Sequence, residues 1–374
     1  MHKECKKMKI RTITCHDCYN FGASLQAYAL QHYLESKGHD VKIINYKPDY
    51  LSGHFKFGAV DNPIYCRPVV KQLYLLAKLP ERLLSLPRKN AYDRFTSKYL
   101  HLTHRYNSYE ELKDSAPNAD VYIAGSDQIW NTLLPNGRDA AFYLDFGKPD
   151  VRRISYAASF ATKEVVPDYK AFVSDEIAKL DFVSIRERIS LSLLKSLGRI
   201  DGVAVCDPVF LLSKKEWGRL IENYVINCNE KYLLVYLTDK SDEIKHIALD
   251  IQKSTGWEIY NVGAFSMKWA HRNFINVGPL DFVKLISGAQ YVISNSFHAT
   301  AFSLIFERNF CVVNRKEGIN ERMKSILEDV GLEHRLSSSY SKEMLSYIDY
   351  TEVWKEMSVI IDSSKSWLGK VLGK

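Results

Sequence analysis

Residues 290–315 read "QYVISNSFHATAFSLIFERNFCVVNR". The apolar run at Tyr291–Ile293 stops at three small polar residues, Ser294, Asn295 and Ser296. A helix-length apolar stretch follows over 298–307, and "FCVVNR" (310–315) returns to the composition of a strand. Two short β-rich runs joined by one helix form a βαβ unit, because parallel strands can be connected only by a crossover of that length. The same alternation extends backwards through "KYLLVYLTD" (231–239), a helix over 241–254, "WEIYNVG" (257–263) and a helix over 279–288.

A separate alternating series occupies the first half. It contains "MKIRTITC" (8–15), an amphipathic helix over 23–38 ending at Gly38, "VKIINY" (41–46), "DVYIAGSD" (120–127), "RRISYAAS" (152–159), "FVSIRE" (182–187) and "GVAVCD" (202–207). The turn-prone Asp207-Pro208 and a polar helix over 213–224 separate the two series. The expected architecture is α/β, with two doubly wound Rossmann-like domains, 1–212 and 213–374, facing a cleft. Ligands then belong at the carboxyl ends of the strands.

A chain of 374 residues suits two domains, and 46% hydrophobic with 25% charged residues is ordinary for a globular protein. No uncharged apolar run reaches the 18 residues of a membrane span, and "MHKECKKMKI" lacks the apolar core of a signal peptide. Seven scattered cysteines, an odd number, point to reduced thiols and a cytoplasmic location. "CHDC" (15–18) is a lone Cys-x-x-Cys without a second pair at zinc spacing, so no metal site is expected. The three-glycine dinucleotide fingerprint and the Walker lysine are absent, and no cofactor is expected.

Four stretches offer chemistry. One of Ser294, Asn295 and Ser296 should cap the helix that follows, leaving His298 in its first turn beside free amides and the positive helix end, a setting for phosphate or carboxylate. A capped helix with a packed histidine is the plainer alternative. Arg186 leaves the end of an apolar strand in "SIRERIS", where its planar fork suits an anion, and Glu187 is its partner or an acid. A surface ion pair accounts for the same residues. "AGSDQIWN" (124–131) sets Ser126 and Asp127 just after a strand, as sugar-hydroxyl contacts or as an ordinary turn. Asn20 and Gly22 form a tight loop before the first helix.

"NFGASLQAYAL", "GSDQIWN", "SYAASF", "SIRERIS", "DPVFLL" and "SNSFHATAFSLIF" together resemble the polysaccharide pyruvyl transferase family, in order, over residues 20 to about 310. The resemblance implies a fold similar to B-type glycosyltransferases and a part in exopolysaccharide, capsule or other cell-surface glycan synthesis. The implied reaction moves a pyruvyl group from phosphoenolpyruvate, a co-substrate, onto two hydroxyls of a sugar and forms a ketal. It assigns Arg186 to the donor carboxylate or phosphate and His298 to phosphate binding and general-acid work, with Asp127 or Glu187 as base. Where many members have an arginine two residues before the histidine, this chain has Ser296, and Arg315 is the candidate replacement. Two alternatives stand beside this reading: a B-type glycosyltransferase using a nucleotide sugar, and a non-catalytic RNA- or lipid-binding protein.

Charge is concentrated rather than spread. Between Tyr65 and Arg105 nine lysines and arginines face two acids, and that segment carries the whole net charge of +7. Pro68 and Pro80 bracket "VVKQLYLLAKL" (69–79), read as a short helix with Lys71 and Lys78 on one face and positive charge continuing through Arg82 and Arg88. Such a segment suits peripheral contact with an anionic membrane, in keeping with a lipid-linked acceptor and no nucleic-acid partner; a packed insertion with solvated lysines is the alternative.

Overall fold

The computed structural model describes residues 7–51, 67–228, 231–239, 241–314 and 321–373. Seven parallel strands make the first sheet: β1 (Lys9–Ile13), β2 (Asp40–Tyr46), β3 (Leu102–Tyr106), β4 (Val121–Ala124), β5 (Arg152–Ala158), β6 (Phe182–Ile185) and β7 (Val203–Ala204), in the order β3-β2-β1-β4-β5-β6-β7. Five more make the second: β8 (Tyr232–Tyr236), β9 (Glu258–Val262), β10 (Arg272–Phe274), β11 (Tyr291–Ser294) and β12 (Asn309–Val312), in the order β10-β9-β8-β11-β12. Both are doubly wound, and in each the order reverses beside its first strand, which opens a crevice at the carboxyl ends.

Apolar runs without alternation set the central strands. All five residues of β8, "YLLVY", are buried, as expected where helices cover both faces. The sequence reading missed β3 and β10, because "LTHRY" and "RNF" are short, half-polar edge strands with no apolar run to betray them.

The helices are α1 (Phe21–Ser36), α2 (Pro68–Tyr99), α3 (Tyr109–Asp114), α4 (Lys170–Ala178), α5 (Ser190–Ser196), α6 (Lys214–Ile221), α7 (Asp242–Thr255), α8 (Pro279–Gly288), α9 (Phe297–Ile305), α10 (Glu321–Asp329) and α11 (Tyr350–Val371). Helix α1 is buried nearly all round because it lies between the two halves, and its buried Gln26 and Gln31 are hydrogen-bonded to Thr14 and the Tyr99 carbonyl. Its Phe21 stacks on Tyr92 of α2 and on Phe282 of α8, at ring separations of 5.4 and 4.7 Å. Trp217 of α6 is fully buried, donates to the Val209 carbonyl at 3.0 Å and meets Tyr28 and Phe302. Large aromatic surfaces thus join the halves. Helix α11 runs back from the second half, where the Tyr350 hydroxyl donates to the Arg308 carbonyl, to the first. There Ser364 accepts from the Cys206 amide, and Arg152 donates to the Val371 carbonyl.

The basic segment departs from the sequence reading. It is not a short helix between prolines: α2 spans 32 residues and continues through both Pro80 and Pro87. Pro80 and Pro87 are exposed, so water can satisfy the carbonyls left without an N–H partner. No described helix is long and apolar enough to cross a membrane.

Candidate functional site

Arg186 follows β6 directly, and its side chain is 2% exposed. Its Nε donates to Glu187 Oε1 at 3.0 Å and its Nη1 to Asp207 Oδ2 at 2.8 Å. The guanidinium lies 4.4 Å from the ring of Phe297, at the head of α9, which ties the first half to the second. Glu187 is fixed in turn by Ser159, whose hydroxyl donates to it at 2.7 Å. The alternative of a surface ion pair does not hold for Arg186 and Glu187, whose side chains are both buried.

Asp207 is the hub. Its Oδ2 accepts from Ser126 at 3.0 Å and from Arg186, and lies 3.6 Å from His298 Nε2, an ion-pair separation beyond hydrogen-bond reach. Its Oδ1 accepts from the Val209 amide and caps the short turn of helix that begins at Pro208. Burial acts to raise this carboxyl, but His298 and Arg186 outweigh it and hold it well below the usual carboxylate range. Burial also acts against the Arg186 charge, and Glu187 and Asp207 more than compensate, so the guanidinium titrates above its ordinary value.

His298 is in the first turn of α9, as expected, and is buried. Ser296 is the N-cap residue but its side chain makes no cap bond. Ser294 instead donates to the Tyr236 carbonyl and accepts from the Ser296 amide, holding the strand-to-helix turn. Asn295 accepts from the Thr238 amide and hydroxyl, at 2.9 and 3.0 Å, and so links the ends of β11 and β8.

Gly22 has a different use from the loop expected for it. It lies inside α1, and a Cβ there would stand 1.9 Å from His298 Nδ1, so the imidazole rests on the bare backbone of the other half. Asn20 caps α1, accepting from the Gly22 and Ala23 amides at 2.9 and 3.2 Å. Ser126 is buried and bound to Asp207. Asp127 adopts a left-handed backbone at φ 74°, with its carbonyl held by the Ser159 amide. Tyr19, Ala157 and Ala161 are also left-handed, at φ 50°, 54° and 59°. Four strained non-glycine residues thus gather around the carboxyl ends of β1, β4 and β5, Ala157 inside β5 near its end and the others beyond the strands, the pattern of a functional edge.

Three buried atoms of this cluster have no hydrogen-bond partner among the described residues: Arg186 Nη2, Glu187 Oε2 and His298 Nε2. A cavity of about 210 Å³ adjoins the first two of these residues, lined by Arg186, Glu187 and Asp207 together with Arg188, Arg322 and Phe297; His298 does not line it but lies 3.6 Å from Asp207, which does. Its charged lining is mixed: Arg186, Arg188 and Arg322 stand among Glu187, Asp207 and Asp329, and Arg188 pairs with Asp329 at 3.0 Å. Arg315 lies outside the described residues. Asp207, Ser159, Gly22 as a seat, and Arg322 were missed as site residues; for Asp207 the signal was present, an acid between strand end and proline in "CDPVF". Cys15 and Cys18 lie elsewhere beyond β1, and burial pushes both thiols up.

Among solved structures the chain is similar to AviGT4, a glycosyltransferase involved in avilamycin A biosynthesis, with 10% identity over 97% of both chains and a TM-score of 0.51. It is also similar to UGT89C1 of Arabidopsis thaliana, with 11% identity over 98% of this chain and 99% of that one and a TM-score of 0.50. At such identities the likeness is one of fold alone, and the fold is the two-domain α/β arrangement of B-type glycosyltransferases. No curated protein sequence matches the chain significantly. The family model for polysaccharide pyruvyl transferase matches residues 20–317, most of the chain and every element that builds the cluster around Asp207. The chain belongs to the polysaccharide pyruvyl transferase family.

Proposed function

We propose that this transferase moves a pyruvyl group from phosphoenolpyruvate onto two hydroxyls of one sugar and forms a cyclic ketal. The observation that carries this reading is the cluster of buried, unpartnered atoms, Arg186 Nη2, Glu187 Oε2 and His298 Nε2, gathered about Asp207, with a small cavity next to Arg186, Glu187 and Asp207 that Arg188 and Arg322 also line. Phosphoenolpyruvate has a carboxylate and a phosphate, so its pocket needs several cationic donors, and a general acid must reach its C3.

In this scheme His298 gives a proton to C3 while the first sugar oxygen bonds to C2. The C2–O bond to phosphate then breaks, phosphate leaves, and the second sugar oxygen takes its place at C2. Asp207 stands beside the imidazole and stabilises it when protonated, the function carboxylates serve beside catalytic histidines. Glu187 Oε2 or Asp127 takes the hydroxyl protons. With Nε and Nη1 committed to Glu187 and Asp207, Arg186 reaches the donor through Nη2 alone, and it positions both carboxylates at the same time. The uncapped first turn of α9 adds backbone amides for the phosphate.

The test is mass spectrometry of candidate glycans, free and lipid-linked, incubated with the protein and phosphoenolpyruvate, alongside a phosphate assay. A pyruvyl ketal with matching phosphate release is expected. Transfer of a sugar from a nucleotide sugar, with release of nucleotide, would overturn the reading.

A further inference from the structure

We propose that the first half of α2 is a docking face that lies in the interface of an anionic lipid bilayer. The C-terminal half of the helix is packed: Ala91, Tyr92 and Phe95 are buried against the rest of the protein. The N-terminal half leaves one side uncovered. Val69, Leu73, Leu76 and Leu84 are 70%, 63%, 65% and 77% exposed, and Leu83 is half exposed. At 100° per residue, Val69, Leu73, Leu76, Leu83 and Leu84 fall on one side, while Arg67, Lys71 and Lys78 fall on the other. An aliphatic face backed by cations is the pattern of a helix lying in a membrane surface, its leucines among the acyl chains and its cations at anionic headgroups.

A second copy of this chain fits worse. The stripe 69-73-76-80-83-87 has the four-three spacing of a helix-pairing seam, but Pro80 and Pro87 occupy it, and pairing would bring together two segments of like charge. The prolines suit the hydrated interface instead. Each leaves a carbonyl on that side without its helical donor, a group that must keep contact with water and so bars deep insertion. Arg82, grouped by the sequence reading with the membrane-facing cations, is buried and takes no part.

The face is coupled to the cleft. Arg88 donates to the Tyr19 carbonyl, next to the Asn20 cap of α1, and Lys89 pairs with Asp93, which accepts from the Tyr19 hydroxyl. Docking would therefore set the cleft beside the bilayer surface.

The experiment is flotation of the full-length protein with vesicles of phosphatidylcholine alone and of phosphatidylcholine with phosphatidylglycerol, at low and high salt. Variants are Leu73→Gln/Leu76→Gln/Leu84→Gln and Lys71→Gln/Lys78→Gln; all these positions are partly or largely exposed, and circular dichroism and thermal melting check the fold. The proposal expects binding to the anionic vesicles that is reversed by salt. It also expects a loss of at least about tenfold in partitioning for the triple leucine variant, and a smaller loss for the lysine variant. Three results would overturn it: no preference for anionic vesicles, a leucine variant that binds as the parent does, or a parent that is dimeric where the leucine variant is monomeric and that ignores vesicles.

Discussion

Replacing Gly22 by alanine tests whether the two halves meet through His298 as described. The added Cβ would stand 1.9 Å from Nδ1, 2.2 Å from Cγ and 2.4 Å from Cε1 of the imidazole. Ordinary contact begins near 3.4 Å, so the ring must retreat by about 1.5 Å or the halves must part. Alanine in a helix gains up to about 1 kcal/mol over glycine, and less in the first turn where Gly22 lies. Overpacking a filled site costs about 1–3 kcal/mol, so the clash wins and the variant is less stable by about 1–2 kcal/mol. Urea titration should show a lower midpoint at an unchanged slope. Because reacting groups misplaced by an ångström lose about two orders of magnitude, turnover should fall about a hundredfold. The deciding measurement is the double variant Gly22→Ala/His298→Ala. Removing the ring makes room for the methyl, so the two changes should be non-additive by about 1–2 kcal/mol. A Gly22→Ala protein as stable as the parent, with additive double-variant stability, would refute the seating of His298 on α1.

Three further outcomes are expected from the same cluster. His298→Ala should lower pyruvyl transfer by about two to four orders of magnitude while leaving the fold intact, and near-parental turnover would remove it from the chemistry. Arg186→Lys keeps the charge, yet a single ammonium cannot bridge Glu187 and Asp207 while reaching a donor. Its KM for phosphoenolpyruvate should rise and its stability fall, and a parental profile in both would count against the assignment. Asp207→Asn should destabilise by about 3–5 kcal/mol near neutral pH, because it strips the central charge from a buried ion cluster. The Asp207 carboxyl is depressed in the folded protein, so its contribution is full above the unfolded value of about 3.9 and fades as pH falls further. The stability gap between parent and variant should accordingly be constant from about pH 5 upward and narrow below about pH 4; a gap that widens in acid would contradict the assignment.

Features that depend on neighbours along the chain could be read before any fold was known. Unbroken apolar strands such as "YLLVY" and the helices between them announce two parallel sheets, because a strand buried on both faces has no polar register to display. His298 in the first turn of α9 was legible for the same reason, since first turns are fixed by a few adjacent residues, whereas Asn20 reads as part of a loop and is the cap of α1. The family resemblance was carried by six such local stretches. Tertiary structure decided the rest. Arg186, Asp207 and His298 meet only because β6 and the turn after β7 belong to one half and α9 to the other, and no spacing in the chain encodes that approach. Gly22 looked like a loop glycine, whereas its missing side chain makes room for a ring 276 positions further on. Proline at 80 looked like a helix stop, but on an exposed face the cost of a lost hydrogen bond is shared with water, and α2 runs on. Local rules name the elements and their ends. Which polar groups lose their water together, and so which carboxylate becomes the hub of the site, is settled only when the two halves close over Asp207.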